Sequence, residues 1–422
     1  MEVALTKPHG SPSSALLRED GSGAGGQVAS SRLTPWRRWR GHILVGLLVM
    51  VLLAAGTAGI AALVSAAKNK KNDAGHGADP GPAPAEPLAR ARFLMRHTPL
   101  LDAHNDLPWE IRNKAKLDVN AVDLTVTSPA YQTDIPRMRE GELGAQLWSV
   151  YTACASQYKD AVRQTLEAID TVNALARKYP ETLAMASNAA EVSSLFARGH
   201  IASLMGMEGG HQIDSSVMAL RQFHALGVRY MTLTHNCNAG DPAAPWAGSC
   251  CPISGPTNVG LSEFGRNVVA EMNRMGMMVD LSHTSVETMS DALDVTRAPP
   301  IFSHSNARAL CDVPRNRPEG GGVVCVTFVP GFLVPGGVNA SLSNVVDHIM
   351  YIGNRIGYDH VCIGSDFDGV ETLPAGLATP ADYPDLFAEL IRRGVSDDNI
   401  NAILSGNLLR VLAATERRRR TS

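Results

Sequence analysis

From about residue 87 onward, short apolar runs alternate with longer stretches of helical periodicity. In the stretch 158–179, for example, Val162, Leu166 and Ile169 recur three and four residues apart, which predicts a helix with one buried face. Such alternation is typical of βαβ units and predicts a mainly parallel sheet. The candidate strands lie at 100–103, 145–150, 202–207, 230–234, 277–281, 300–303, 323–328 and 360–364.

The polar residues distinguish a closed barrel from an open doubly wound sheet. Most candidate strands run directly into His, Asp or Glu, as in LLDAHND, LMGMEGGH, MTLTHN, VDLSH, IFSHS and CIGSDFD. A TIM barrel assembles its active site from strand ends around the whole ring, whereas an open sheet concentrates its ligands at one switch point. We therefore predict an α/β fold, a TIM-like (β/α)8 barrel spanning residues 88–416.

A different composition precedes the barrel. Residues 1–41 are rich in Gly, Ser and Ala and predict a disordered tail. Residues 42–67 lack Asp, Glu, Lys and Arg and are long enough to cross a hydrocarbon core of about 30 Å, which predicts a transmembrane signal anchor in a lipid bilayer. A cleaved signal peptide is the alternative, although its apolar region is usually shorter. Residues 68–87 are a Pro/Gly/Ala-rich stalk, and 417–422 form a basic tail.

The charge balance excludes one class of partner. The chain carries 38 basic and 41 acidic residues, for a net charge of -3. Proteins that bind nucleic acid normally carry a clear basic excess, so we expect no nucleic-acid partner.

Candidate metal ligands accumulate at the strand ends. His104 and Asp106 are two residues apart, so an extended strand points both to one face. Glu208 leaves a buried strand, where an unpaired carboxylate is costly; capping of a following helix is the alternative role. With His283 and His304 these residues form a set of nitrogen and oxygen ligands without a thiolate. Such a set suits two Zn²⁺ ions per chain, bridged by a carboxylate and a hydroxide.

A proton carrier is also required for hydrolysis, and 361-VCIGSDFDG-369 offers two. Either Asp366 or Asp368 could accept the proton of an attacking water and return it to a leaving amine. Alternation along a strand would place both carboxylates on one face, so periodicity does not separate them.

Six motifs together resemble the membrane (renal) dipeptidases, and the resemblance runs from about Leu94 to Glu416. It implies a binuclear zinc TIM-like barrel that hydrolyses dipeptides, tolerates a C-terminal D-residue and is commonly dimeric. The motifs are HNDLP at 104–108, EGGH at 208–211, LTHN at 233–236, DLSH at 280–283, FSHS at 302–305 and GSDFDG at 364–369.

The resemblance also implies a role for each site residue. His104 and Asp106 would bind one zinc, His283 and His304 the other, and Glu208 would bridge them. Asp366, rather than Asp368, would be the acid/base. His235 would contact the substrate and its transition state, and Arg315 would pair with the dipeptide carboxylate, a group to which a bidentate guanidinium is matched.

Cysteines and a glycosylation sequon bear on the compartment. The resemblance implies a disulfide between Cys154 and Cys237, and it leaves Cys311 without its usual partner. Basic residues flank both ends of the span 42–67, so charge alone does not orient it. The sequon Asn339-Ala340-Ser341 and the disulfide favour a single-pass, type II protein with a lumenal or extracellular catalytic domain.

One departure from the family pattern leaves alternatives open. After 314-PRNRP-318 the chain enters EGGGVVCVTF almost at once, where the family places a helix. The strand at 323–328 could therefore be displaced, and Arg315 with it. The rivals to a dipeptidase are a related amidohydrolase acting on another small amide or lactam, and a membrane-displayed binding protein that keeps the metals without turnover.

Overall fold

Residues 82–316 and 322–419 are described by the structure, a computed structural model. The predicted tail, the membrane span 42–67, most of the stalk and the last three residues lie outside them. Within the described ranges, no helix combines the length and the apolar composition that crossing a membrane requires.

Eight parallel strands close into a barrel in chain order, because β2 pairs with both β1 and β4 and β11 returns to β1. The barrel strands are β1 (Leu100–Asn105), β2 (Leu143–Tyr151), β4 (Ile201–Glu208), β5 (Val228–Thr232), β8 (Met278–Asp280), β9 (Ile301–Ser305), β10 (Val323–Val326) and β11 (Val361–Ile363). Strand β3 (Leu183–Met185) pairs with the start of β4, and β6 (Ala239–Asp241) and β7 (Ala244–Ala247) form a separate hairpin. Every predicted strand is confirmed, and so is the TIM-like barrel.

Helices surround this ring, and polar caps define several of their ends. The helices are α1 (Pro87–His97), α2 (Leu107–Ala115), α3 (Ile135–Glu140), α4 (Ala161–Lys178), α5 (Ala189–Ala197), α6 (Val217–Ala225), α7 (Glu263–Met275), α8 (Val286–Val295), α9 (Pro330–Leu333), α10 (Leu342–Ile356), α11 (Tyr383–Arg392), α12 (Asp397–Asn401) and α13 (Asn407–Arg418). The stretch predicted at 158–179 is α4. In α7, Ser262 caps the first turn and Gly276, with φ +81°, ends the helix in a left-handed conformation.

The connection between β9 and β10 is shorter than any other between successive strands of the barrel. Its described residues, 306–316 and 322, contain no helix. Strand β10 nevertheless pairs with both neighbours, with Val324 opposite Phe302 on one side and Val361 on the other. The strand is therefore not displaced.

Two disulfides link separate elements of the described chain. Cys154, just after β2, is bonded to Cys237, just after β5, which confirms the implied pairing. The second joins Cys325 in β10 to Cys362 in β11, which are register partners on adjacent strands. The sequence analysis did not predict it. Cys311 is buried and outside both disulfides.

Candidate metal centre

The five predicted ligands converge at the carboxyl end of the barrel. His104 lies in β1 and Asp106 directly follows that strand, with 3.2 Å between His104 Nε2 and Asp106 Oδ2. Glu208 is the last residue of β4, and His304 lies in β9. All five side chains are buried, at 0–6% exposure, so water does not neutralise this concentration of ligand atoms.

Glu208 lies at the centre of the cluster and its two oxygens face different ligands. Oε1 is 3.1 Å from His283 Nε2 and 3.2 Å from His304 Nε2. Oε2 is 3.5 Å from His104 Nε2, on the side of Asp106. A carboxylate in this position can contact two cations at once, one through each oxygen.

Hydrogen bonds fix the tautomer of each candidate ligand histidine. The Tyr230 hydroxyl donates to Ala103 O, so it can only accept from His104 Nδ1, 2.9 Å away. Ser303 Oγ donates to Asp280 and therefore accepts from His304 Nδ1 at 2.8 Å.

His283 follows the same pattern. Its Nδ1 donates to Asn236 Oδ1 at 3.0 Å. In its neutral form each of the three histidines consequently turns an Nε2 lone pair towards the centre, which is the state that a metal ligand requires.

A positive charge between these lone pairs would relieve their mutual repulsion. His283 Nε2 and His304 Nε2 are only 3.1 Å apart, and burial lowers the pKa of both imidazoles well below the usual value. His104 Nε2 is buried without a hydrogen-bond partner among the described residues. Burial lowers the pKa of His104, but Tyr230, Glu208 and Asp106 outweigh it and raise that pKa. The centre thus favours a cation at this nitrogen, and its donor set fits zinc.

His235 lies beside the predicted ligands rather than among them. Its ring packs between Tyr151, at 4.6 Å, and His283, at 4.3 Å, measured between ring centroids. Its Nε2 is 3.8 Å from Glu208 Oε1, and burial lowers the pKa of the imidazole. The Cys154–Cys237 disulfide restrains this histidine, since Cys154 Sγ is 3.8 Å from His235 Nδ1.

The two candidate proton carriers point in different directions. Strand β11 ends at Ile363, and Asp366 and Asp368 both have left-handed backbones, with φ of 68° and 64°. The sequence argument that alternation puts both on one face is therefore wrong, because the strand does not continue. Asp366 Oδ1 lies 3.8 Å from His104 Nε2, and burial raises the pKa of this carboxyl to about 8. Asp368 instead accepts a hydrogen bond from the backbone of Gln132.

Arg315 reaches the same cavity from the short β9–β10 connection. It is 4% exposed, donates to Ser305 Oγ at 3.3 Å and lies 5.4 Å from the centroid of the Phe332 ring. Its Nε has no hydrogen-bond partner within the described residues. Asn316 holds this turn by donating to Cys311 O and Phe332 O, each at 2.8 Å. A buried guanidinium with an unused donor is suited to an anionic group of a ligand.

Most of the predicted site residues line one cavity of about 340 Å³, namely Asp106, Glu208, His235, His283, His304, Arg315 and Asp366. Sequence reasoning missed several of its walls, which are aromatic, small, apolar or neutral polar residues. They are Trp109, Tyr151, Asn236, Val329, Phe332, Gly369 and Val370. Gly369 was detectable in GSDFDG, and a Cβ there would lie 2.5 Å from Asp366 Oδ1 and 2.6 Å from Asp106 Oδ2. Only glycine therefore lets these carboxylates approach the loop.

Relatives and solved structures resemble this chain over most of its length. An uncharacterized dipeptidase of Schizosaccharomyces pombe is 44% identical over 352 residues, covering 78% of this chain and 84% of the relative. Dipeptidase aclJ of Aspergillus oryzae is 44% identical over 342 residues, covering 76% of this chain and 79% of the length of the relative.

Among solved structures, a metallopeptidase of Rhodobacter sphaeroides liganded with a phosphinate mimic of the dipeptide L-Ala-D-Ala is similar, with a TM-score of 0.65. It is 26% identical, over 75% of this chain and 99% of that one. The model of the membrane dipeptidase family, peptidase family M19, matches residues 88–422. The chain therefore belongs to the membrane dipeptidase family.

Proposed function

We propose that this protein is a membrane-anchored zinc dipeptidase with two Zn²⁺ ions per chain. His104 and Asp106 would hold one ion, His283 and His304 the other, and Glu208 would bridge them. The observation that carries the proposal is the position of Glu208, whose Oε1 lies 3.1 Å and 3.2 Å from two histidines while its Oε2 faces a third at 3.5 Å. The matching tautomers of the three histidines support the same assignment.

Bound zinc would supply Lewis-acid polarisation of the scissile carbonyl and a lowered pKa for an attacking water. The residues of the chain would orient the substrate and move the proton. Asp366 is suited to accept and return it, because burial raises its pKa to about 8, near the working range of a general acid/base at neutral pH. His235 faces the cavity 3.8 Å from Glu208 and would contact the reacting carbonyl oxygen.

The substrate class follows from two features of the same cavity. Arg315 would bind a free α-carboxylate, and the predicted metal ligands that line the cavity with it would receive the scissile bond. A volume of about 340 Å³ suits a molecule of dipeptide size. The phosphinate mimic of L-Ala-D-Ala named for the Rhodobacter relative supports dipeptides with a C-terminal D-residue as substrates.

Residues 42–67 would anchor the protein in the membrane, with the barrel on the lumenal or extracellular side. Asn339 of the sequon is exposed and therefore open to glycosylation. Protection of the barrel from added protease in sealed microsomes, and loss of an attached glycan in Asn339→Gln, would support this orientation. Cleavage of the barrel in intact microsomes would reverse it.

The decisive experiment is hydrolysis of Gly-D-Ala by the purified full chain, with the zinc content of the same sample measured. We expect two zinc ions per chain and turnover that a chelator abolishes and added zinc restores. Asp366→Asn should lose turnover while keeping its zinc, whereas the matched control Asp368→Asn should retain activity, since Asp368 bonds to Gln132. Full zinc occupancy without turnover in the unmodified protein would instead favour the binding-protein alternative.

A further inference from the structure

Two adjacent cysteines lie beside the metal centre without being part of it. Cys250 and Cys251 follow the β6–β7 hairpin, and their Sγ atoms are 2.7 Å apart. Both residues are half-buried, in contrast to the fully buried Cys325 and Cys362. The sulfur atoms need to approach by only about 0.7 Å to reach the covalent disulfide distance of roughly 2.05 Å.

The backbone around this pair holds two histidines of the candidate site. Cys250 N–H donates to His283 O at 2.7 Å. Cys251 N–H donates to Ser249 Oγ at 3.1 Å, and Ser249 Oγ donates in turn to His235 O at 2.5 Å. Ser249 also forms an isolated antiparallel bridge with Thr284, next to His283. The cysteine pair is therefore connected to both histidines through at most one intervening side chain.

Sequence adjacency makes a bond between these sulfurs readily reversible. Successive Cα atoms across a trans peptide are about 3.8 Å apart, whereas disulfides usually span about 4.4–6.8 Å between Cα atoms. Strained, accessible disulfides have more oxidising potentials and are the labile or regulatory ones. Cys154–Cys237 spans 5.9 Å between Cα atoms, within that range, and Cys325–Cys362 is fully buried, so a thiol in solution does not reach it.

We propose that Cys250 and Cys251 form a redox modification site, a vicinal dithiol that small disulfides such as oxidised glutathione close and small thiols reopen. One cysteine thiolate attacks a sulfur of oxidised glutathione, forming a mixed disulfide and releasing one reduced glutathione. The neighbouring thiolate then displaces the second glutathione as the ring closes. The two cysteine protons end on the two glutathione thiols, and the two electrons lost by the cysteines reduce the glutathione disulfide.

Ring closure acts on the site through the peptide between the two cysteines, which becomes part of the ring. Its N–H is the one that Cys251 donates to Ser249 Oγ, so turning this peptide breaks that bond and loosens the support of His235 O. Since His235 is assigned to the substrate, this consequence rests on the proposed function. We expect KM to rise by roughly three- to tenfold on oxidation, the effect of losing about one hydrogen bond.

The test compares the full chain after incubation with oxidised or reduced glutathione, followed by alkylation and peptide mass spectrometry. We expect the peptide containing Cys250 and Cys251 to lose two hydrogens and resist alkylation after oxidation. Reduced glutathione should restore both thiols while the two long-range disulfides persist. Alkylation of both cysteines after oxidation, or a stable glutathione adduct without ring closure, would overturn the proposal.

Kinetics on matched variants then locate the effect. Cys250→Ser combined with Cys251→Ser should abolish the response of KM to oxidation, and Cys311→Ser should respond like the unmodified chain. A response that persists in the double variant would assign the effect to another cysteine and refute the regulatory link. Because the mass measurement needs no turnover, ring closure can be established or refuted even if dipeptide hydrolysis is not observed.

Discussion

Replacing Arg315 with Met removes the group assigned to the dipeptide carboxylate and leaves the metal ligands intact. The guanidinium is 4% exposed, and its Nε is without a hydrogen-bond partner among the described residues. Burying a cation with an unused donor costs the free enzyme free energy. A substrate carboxylate that accepts a hydrogen bond from this donor should recover that cost on binding. Met has similar length and no polar group, and we therefore expect the variant to fold.

The magnitude follows from the two hydrogen bonds that a guanidinium can make with one carboxylate. Hydrogen bonds to charged groups contribute about 1.5–3 kcal/mol each, so the pair contributes about 3–6 kcal/mol. Losing it should lower kcat/KM for a dipeptide by roughly 10²–10⁴. The kcat/KM of Arg315→Lys should lie between those of the unmodified protein and Arg315→Met, because an ammonium keeps the charge and loses the planar fork.

The assay is a cycle of two enzymes and two substrates, Gly-D-Ala and its C-terminal carboxamide. The unmodified protein should discriminate against the carboxamide by about the factor that Arg315→Met costs on the dipeptide. The variant should hydrolyse both substrates with similar kcat/KM. Zinc content, measured on each sample, separates a lost substrate contact from a damaged metal centre.

Two results would refute this reasoning. Equal kcat/KM for dipeptide and carboxamide in the unmodified protein would mean that no cationic group recognises the carboxylate. If Arg315→Met lowers kcat/KM for both substrates by the same factor, Arg315 supports the structure of the cavity and does not contact the substrate carboxylate.

Three further predictions concern the surroundings of the site. Tyr230→Phe removes the acceptor for His104 Nδ1 and should weaken zinc binding about 10- to 100-fold in chelator competition, with turnover recovering at saturating zinc; unchanged affinity would contradict the tautomer assignment. Burial raises the pKa of Asp368 to about 6 from 3.8, so its ionisation costs the folded state stability as pH rises from about 4 to about 6. Relative to Asp368→Asn, the unmodified protein should therefore lose up to about 3 kcal/mol over that interval in urea unfolding, and parallel pH curves would exclude this cause. Replacing Cys154 and Cys237 with Ser opens a covalent link between residues 83 apart and should lower unfolding stability by about 4 kcal/mol; an unchanged thermal midpoint would show that the link contributes little.

The barrel could be predicted from the sequence because each strand carries its own local signal. Runs such as Ala202–Met207 are almost entirely apolar, as a parallel strand buried on both faces must be, and end in a polar candidate ligand. The Cys325–Cys362 disulfide could not be predicted in this way. It depends on the register between β10 and β11, which is a property of two strands together and leaves no mark on either one.

The identity of the site residues was predictable further than their geometry. The histidines and carboxylates at the strand ends were sufficient to predict the cluster of candidate ligands. The two-residue period of a strand, however, gave the wrong directions for the side chains of Asp366 and Asp368. Both residues lie beyond the end of β11 with positive φ, so the two-residue period of a strand no longer applies. The partners that fix the tautomers, Tyr230 and Asn236, are neutral residues whose role appears only when the strands are side by side.

The short β9–β10 connection contains no helix among its described residues, yet the residues of the candidate site converge on one cavity. The metal ligands lie at the ends of other strands, and β10 itself contributes none of the five. Arg315 is the site residue that lies within this short connection. Asn316 holds its turn through two 2.8 Å hydrogen bonds to Cys311 O and Phe332 O. Cys311 precedes residues 317–321 and Phe332 follows them, so Asn316 ties the turn that carries Arg315 to both sides of the connection. A short connection is therefore compatible with the proposed carboxylate site, and the Arg315 substrate cycle tests this directly.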